Sequence, residues 1–267
     1  MIGPAPAKIN LALVVGPLRE DGKHEVLTVL QRVALSDRVA VEPAAHTVVT
    51  GFPDDTLVRC ALELLDARHG WKVHIDKRIP VAAGLGGGSS DAATALRLAN
   101  EQLSEPLGAP ALHDLAAQVG ADVPFFLADG PQLGSGDGST LEPLGLPEDF
   151  AVLLLLPHGA AKESTAAVYG AFDARDGADG FDDRAALLRA SLGAVERPRD
   201  LAGLPPNDLA SSPLADRLRE LGSFRADVSG AGPTVYGLFH GEADAERARR
   251  ATRDVGRGLV TIPAWYG

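Results

Sequence analysis

Pro80-Val81-Ala82-Ala83-Gly84-Leu85-Gly86-Gly87-Gly88-Ser89-Ser90-Asp91 sets four glycines and two hydroxyls between two periodic segments. Before it, Val73-His74-Ile75 alternates as a strand; after it, Asp91 to Gln102 carries Ala92, Ala93, Leu96 and Ala99 on one helical face. The reading is strand, glycine loop, helix. Glycine tolerates left-handed backbone and lets the main chain approach a ligand, while the first N–H groups of the following helix have no intrahelical acceptor. That combination suits phosphate. A flexible surface turn before a capped helix has the same composition, and the apolar flanks with Ser89-Ser90 at the helix start favour the phosphate reading. The two commonest nucleotide loops are excluded: no lysine follows the glycines, and Ser89 stands where a GxGxxG pattern needs its last glycine.

Outward from the loop, Ile9 to Val15 is an apolar run closed by Gly16-Pro17. After the Asp21-Gly22 turn a second β-branched run extends from Val26 to Val41, so two or three paired strands open the chain. Leu57, Ala61, Leu64 and Leu65 place a helix within residues 54–69, with Asp54 or Asp55 as its cap. Leu112 to Val119 reads as a short helix, Val152 to Leu156 as a buried strand, Asp173 to Asp183 as an exposed acidic loop and Asp244 to Thr252 as a charged helix. Val228 to Phe239 sets a second glycine turn between β-capable residues. Strands and helices alternate irregularly, which favours an α+β enzyme of two lobes over a regular βαβ array. Turn residues concentrate between Gly130 and Gly138, so the expected lobes are 1–138 and 139–267.

The 267 residues, 45% hydrophobic and 23% charged, lie in the globular band. A net charge of −11 disfavours nucleic acid as a partner. The lone Cys60 has no second thiol for a disulfide or a Cys-rich metal site. With neither a signal-like start nor an apolar run of membrane-spanning length, the expected location is the cytoplasm, with no membrane partner. No HExxH or GxSxG pattern occurs and the seven histidines are scattered, so hydrolase and metal-centre readings lose support.

Lys8 enters an apolar strand behind Pro6-Ala7, and Asp122 sits in the apolar Gly120-Ala121-Asp122-Val123-Pro124-Phe125-Phe126. Taken singly, Lys8 also reads as a snorkelling strand-end lysine and Asp122 as a cap. Taken with the glycine loop, they supply the cradle, the cation and the proton acceptor of a phosphotransferase.

In order and spacing, Pro6-Ala7-Lys8-Ile9-Asn10-Leu11, the Pro80–Asp91 stretch, Gly120 to Pro124 and Ser229-Gly230-Ala231-Gly232-Pro233 resemble the three motifs of the GHMP kinase superfamily. Asp21-Gly22 with His24-Glu25, and Asn207-Asp208-Leu209, strengthen the match to its branch acting on a cytidine-diphosphate-linked methylerythritol. The resemblance runs from about Pro4 to Phe239. It implies a two-lobed fold with the active site in the cleft, and transfer of the ATP γ-phosphate to the 2-hydroxyl of that small molecule in the non-mevalonate isoprenoid pathway. It also implies that Pro80 to Ser90 wraps the ATP phosphates, that Asp122 accepts the hydroxyl proton and that Lys8 stabilises charge on the transferring group. Asn10, His24 and Tyr169 would hold the substrate. Mg²⁺ would accompany ATP, with Ser90 the one ligand candidate, and the chain would be a monomer or homodimer.

Three departures from the family pattern stand out. Lys23 replaces the tyrosine usual before His24, so cytosine recognition rests on Tyr169 and His24. Thr56 stands where an asparagine is usual, and Gln132 to Gly138 replaces a Gly-Val-Gly-Glu turn. A GHMP kinase with a mevalonate-, homoserine- or sugar-type acceptor, and a non-catalytic nucleotide sensor on the same fold, remain as alternatives. The joint presence of Lys8 and Asp122 argues against the sensor.

Overall fold

A computed structural model describes residues 1–53, 55–66, 68–160 and 164–264. Asp54, one of the two cap candidates, lies outside the described residues. The chain forms two compact units, each built from separate stretches of sequence. The first comprises Met1–Ala7, Leu35–Val81 and Gly86–Asp129; the second comprises Lys8–Ala34, Ala82–Leu85 and Gly130–Gly267. Residues 139–267, expected as a C-terminal lobe, all fall in the second unit, whereas 1–138 is shared by both. The sharing arises because the two opening strands, β1 (Ile2–Leu18) and β2 (His24–Ala44), pair with each other and are long enough to serve each unit.

In the first unit the far half of β2 pairs antiparallel with β4 (Gly70–Asp76), which pairs parallel with the short β3 (Val48–Thr50). Along β4, Trp71, Val73 and Ile75 are buried while Lys72, His74 and Asp76 are exposed, the period-two signature of a half-buried strand. Three helices, α1 (Leu57–Leu65), α2 (Gly87–Asn100) and α3 (Ala109–Val119), contribute Val58, Leu62, Ala92, Leu96, Leu112 and Ala116 to the core formed with those strand residues. Burying a side chain such as Leu62 or Leu96 contributes about 1.5–3 kcal/mol. The N-cap of α1 is Thr56, and Asp55, one residue before it, accepts the Val58 N–H through Oδ1 at 2.7 Å.

In the second unit the near half of β2 pairs antiparallel with β5 (Gln132–Gly136), and β5 with β6 (Thr140–Pro143). A separate antiparallel sheet has the order β10-β7-β9-β8, from β7 (Ala151–Pro157), β8 (Arg225–Val228), β9 (Val235–Phe239) and β10 (Gly256–Thr261). The inner strand β7 is buried from Ala151 to Leu155, which explains its unbroken apolar sequence. Helices α6 (Pro213–Glu220) and α7 (Glu242–Ala251) add Ala215, Leu218, Ala245 and Ala248 to that core. Among the described residues no helix is long and apolar enough to cross a membrane.

One expectation is corrected. The acidic run Asp173–Asp183 is not wholly loop: α4 (Thr165–Asp173) ends on its first residue and α5 (Phe181–Gly193) begins inside it, leaving turns between. Asp182 and Asp183 occupy the first turn of α5, where carboxylates complement the positive end of the helix dipole.

Candidate active site

The glycine loop is divided between the units. Gly86 onward belongs to the first, where α2 starts at Gly87, a full turn before the apolar face begins. The first closing bond runs from Ser90 N–H to Gly86 carbonyl at 2.9 Å, so the N–H groups of Gly87, Gly88 and Ser89 have no acceptor within the helix. The Ser90 hydroxyl is buried and has no hydrogen-bond partner among the described residues. Asp122 is half-buried in the turn between α3 and a 3-10 helix, Pro124–Leu127.

Directly beside α2 lies a cluster that the sequence reading did not single out. Lys77 Nζ donates to Asp37 Oδ2 at 2.7 Å and to Asp91 Oδ2 at 2.6 Å, with both carboxylates fully buried. Asp37 Oδ1 also accepts the N–H groups of Arg78 and Ile79. A Cβ on Gly87 would stand 3.0 Å from Lys77 Nζ, so the helix begins with glycine to admit the ammonium. Two carboxylates share one cation. Burial pushes the Asp91 carboxyl up to about 7 in spite of Lys77, and Asp37 and Asp55 add to the shift. Burial alone would lower Lys77, yet Asp91 and Asp37 hold it above its ordinary value.

The shift on Asp91 fixes the sign of a pH effect. The folded chain keeps this proton to about pH 7, whereas an ordinary aspartate releases it near 3.8. The stabilisation it contributes is therefore complete below pH 4 and is lost as pH rises through 7. Asp91→Asn should shrink the drop in Tm between pH 5 and pH 8 by about 2–5 °C. An unchanged drop in thermal melts would show that Asp91 does not carry the proton.

In the second unit the other half of the loop meets β1. Lys8 N–H donates to Leu85 carbonyl at 2.9 Å. Lys8 Nζ donates to Asn10 Oδ1 at 2.7 Å, Asn10 Nδ2 to Thr28 Oγ1 at 2.8 Å and Thr28 Oγ1 to Ala12 carbonyl at 2.8 Å, all buried. The turn Ser229–Pro233 packs on the loop through Ser229 Oγ to Gly84 carbonyl, 2.9 Å, and Thr234 N–H to Ala83 carbonyl, 3.3 Å. Ala82, with φ +63°, holds left-handed backbone without being glycine, a strain of about 1–3 kcal/mol of the kind that collects at functional sites.

His24 and Tyr169 also come together in the second unit. Their rings stack with centroids 4.9 Å apart and planes 6° from parallel, Phe172 meets His24 edge-on at 5.9 Å, and Asp173 Oδ1 lies 3.0 Å from His24 Nε2. Phe172 and Asp173 were not anticipated, although their i+3 and i+4 spacing from Tyr169 on α4 is the signal that would have found them. Two of the three departures are one feature: Lys23 Nζ pairs with Asp137 Oδ2 at 2.5 Å. Burial opposes ionisation of Asp137, but Lys23 and Ser139 hold its carboxyl at about 2.

Residues 56–130 match the GHMP kinases N terminal domain and residues 205–258 the GHMP kinases C terminal. The chain is 39% identical to 4-diphosphocytidyl-2-C-methyl-D-erythritol kinase of Anaeromyxobacter sp. (strain Fw109-5), over 97% of this chain and 90% of that one. The chain belongs to the 4-diphosphocytidyl-2-C-methyl-D-erythritol kinase family. The family member of Pelotomaculum thermopropionicum is 38% identical over 92% of this chain and 90% of its own. A crystal structure of 4-(cytidine 5'-diphospho)-2C-methyl-D-erythritol kinase superposes with a TM-score of 0.77 at 33% identity, covering 99% of this chain and 100% of the other. A crystal structure of mevalonate kinase, 14% identical with a TM-score of 0.74 over 98% of this chain and 99% of its own, shares the fold. The expected α+β GHMP kinase fold is therefore the fold of this family member.

Proposed function

We propose that this chain transfers the γ-phosphoryl group of ATP to the 2-hydroxyl of 4-diphosphocytidyl-2-C-methyl-D-erythritol. The observation that carries the reading is the meeting of Lys8, Asn10, the loop Ala83–Leu85 and the turn Ser229–Pro233 in a chain of this kinase family. Pro80 to Ser90 holds the phosphates, through the N–H groups at the start of α2 and the close main-chain approach that glycine permits. Asp122 takes the proton of the acceptor hydroxyl as its oxygen forms the new bond to phosphorus, and the bond to the bridging oxygen breaks to release ADP. Lys8 offsets negative charge on the group in transit. Asn10 and His24 hold the acceptor, and Tyr169 offers an aromatic face to the cytosine.

A magnesium ion would travel on the nucleotide. Among the described residues no group of three or more His, Cys, Asp or Glu side chains could hold a metal by itself, and the buried, unpartnered Ser90 hydroxyl is a hard oxygen suited to its shell. When bound, the ion neutralises the β- and γ-phosphates. The enzyme acts in the cytoplasm as a monomer or homodimer, its nucleotide-holding part within 1–138 and its remaining lobe within 139–267.

The test is ADP release by the purified chain with Mg-ATP and a panel of acceptors. ADP with the cytidyl compound alone supports the proposal. ADP with mevalonate, homoserine or galactose instead refutes the substrate, and ATP binding with no turnover on any acceptor points to a sensor.

Replacing Lys23 tests how the cytosine is held. Lys23→Tyr breaks an ion pair whose lysine is half exposed, at a cost of about 0–1 kcal/mol, and Asp137 keeps its bonds from Ser139 N–H and Oγ. The expected KM for the cytidyl acceptor is unchanged or lower, because tyrosine adds an aromatic face. A rise of about tenfold or more in steady-state assays would show that Lys23 itself binds the acceptor.

A further inference from the structure

Asn207-Asp208-Leu209 is the one sequence motif to which the proposed reaction gives no task. Asn207 is buried, and its main-chain N–H and both ends of its amide are engaged. Its Nδ2 donates to Val228 carbonyl at 3.0 Å and to Gly230 carbonyl at 2.7 Å; its Oδ1 accepts Leu209 N–H at 2.9 Å; its own N–H donates to Asp227 Oδ2 at 2.9 Å. The next residue grips β1: Asp208 N–H donates to Leu13 carbonyl at 2.9 Å, and Asp208 Oδ2 accepts Val15 N–H at 2.9 Å.

Both grips lead to one place. β1 carries Lys8 and Asn10, and Gly230 lies against them. A Cβ on Gly230 would stand 3.3 Å from Asn10 Oδ1 and 3.6 Å from Lys8 Nζ, and its φ of +56° is left-handed backbone that a side chain strains. The Gly230 carbonyl can face Asn207 only while the turn keeps this shape, and in this shape the turn closes over the lysine, which is 4% exposed.

We infer that Asn207 is a positioning residue for Lys8: it fixes the glycine turn that abuts the Lys8 ammonium, within a motif that also anchors the strand from which Lys8 projects. The inference rests on the proposed role of Lys8 in phosphoryl transfer. Removing the Asn207 amide leaves the carbonyls of Val228 and Gly230 without their donor and frees the turn to shift. Lys8 then loses its fixed place relative to the transferring group while ATP and the acceptor still bind. Small misplacements of this kind act on kcat more than on KM.

The test uses two variants of the full chain. Asn207→Ala removes the amide; Asn207→Asp keeps its volume and the acceptor for Leu209 N–H but cannot donate, and it serves if the alanine variant does not fold. Two quantities are read: kcat and KM per active site, and the rate at which an acylating reagent modifies Lys8 as mapped by peptide mass spectrometry. The exposed Lys23 and Lys72 serve as internal standards. The expected result is a loss in kcat of about tenfold or more with KM values changed less than about threefold. Lys8 modification should rise about tenfold relative to the standards, as local opening of the turn admits the reagent. A folded variant with kcat and Lys8 labelling both within about twofold of wild type overturns the inference, even if its Tm has fallen. Should the wild-type chain turn over no acceptor, the proposed function fails on its own, and the labelling decides whether Asn207 places Lys8.

Discussion

Asp122→Asn is expected to reduce turnover by about 10²–10⁴, the span of general-base contributions, with little change in ATP affinity. The substitution is close to isosteric. It sits in a half-buried turn whose main chain is held by Val123 N–H to Gly120 carbonyl at 3.0 Å, a bond the side chain does not make. The fold should therefore survive while the acceptor hydroxyl loses the group that takes its proton. The loss corresponds to about 3–5 kcal/mol of transition-state stabilisation. Turnover within about threefold of wild type, measured with Mg-ATP and saturating acceptor, would remove Asp122 from the mechanism.

The second large effect is expected from Gly84→Ala. Gly84 has φ +78°, where an L-residue incurs about 1–2 kcal/mol. Its Cβ would lie 2.3 Å from Ser229 carbonyl oxygen and 2.9 Å from Gly232 carbonyl oxygen. Both obstacles are main chain, so no rotamer relieves them. Overpacking of this sort adds about 1–3 kcal/mol and forces the loop off the turn, breaking the Ser229 Oγ bond to the Gly84 carbonyl. The expected outcome is a KM for ATP raised about tenfold or more together with a lower Tm. Gly145→Ala is the control, because its Cβ would meet nothing within 4 Å. If the two variants behave alike, the clash at Gly84 does not reach nucleotide binding.

Much of the architecture could be read from residue patterns, and the failures have physical reasons. β4, α1, α3 and β7 each appear in the sequence as a periodic or unbroken apolar run because burial on one face or both dictates that pattern. The apolar run Ile9 to Val15 marks only the middle of β1, which starts at Ile2 although Pro4 and Pro6 argue against a strand there. The apolar periodicity that marks α2 begins only at Asp91; Gly87 is helical all the same despite the low helix propensity of glycine, and its lack of a side chain makes room for Lys77. α5 leaves no periodic signal because its apolar residues are not gathered on one buried face: Leu188 is buried and Leu187 exposed. In the site, Lys8 stood out as a charge entering an apolar strand. Asp37 gave the same signal inside the run from Val26 to Val41, and its partner Lys77 lies 40 residues away, a distance no local pattern spans.

The cluster of Asp37, Lys77 and Asp91 also constrains how a lineage can change here. Losing Lys77 first would leave the buried Asp37 and Asp91 without the ammonium they share, and losing Asp37 first would orphan the N–H groups of Arg78 and Ile79. Either opening step costs about 3–5 kcal/mol, enough to remove most carriers by selection. An amide at Asp91 is the mild opening, because it leaves one ammonium facing one carboxylate. Descendants are therefore channelled through position 91, and the three residues diverge in a preferred order rather than independently.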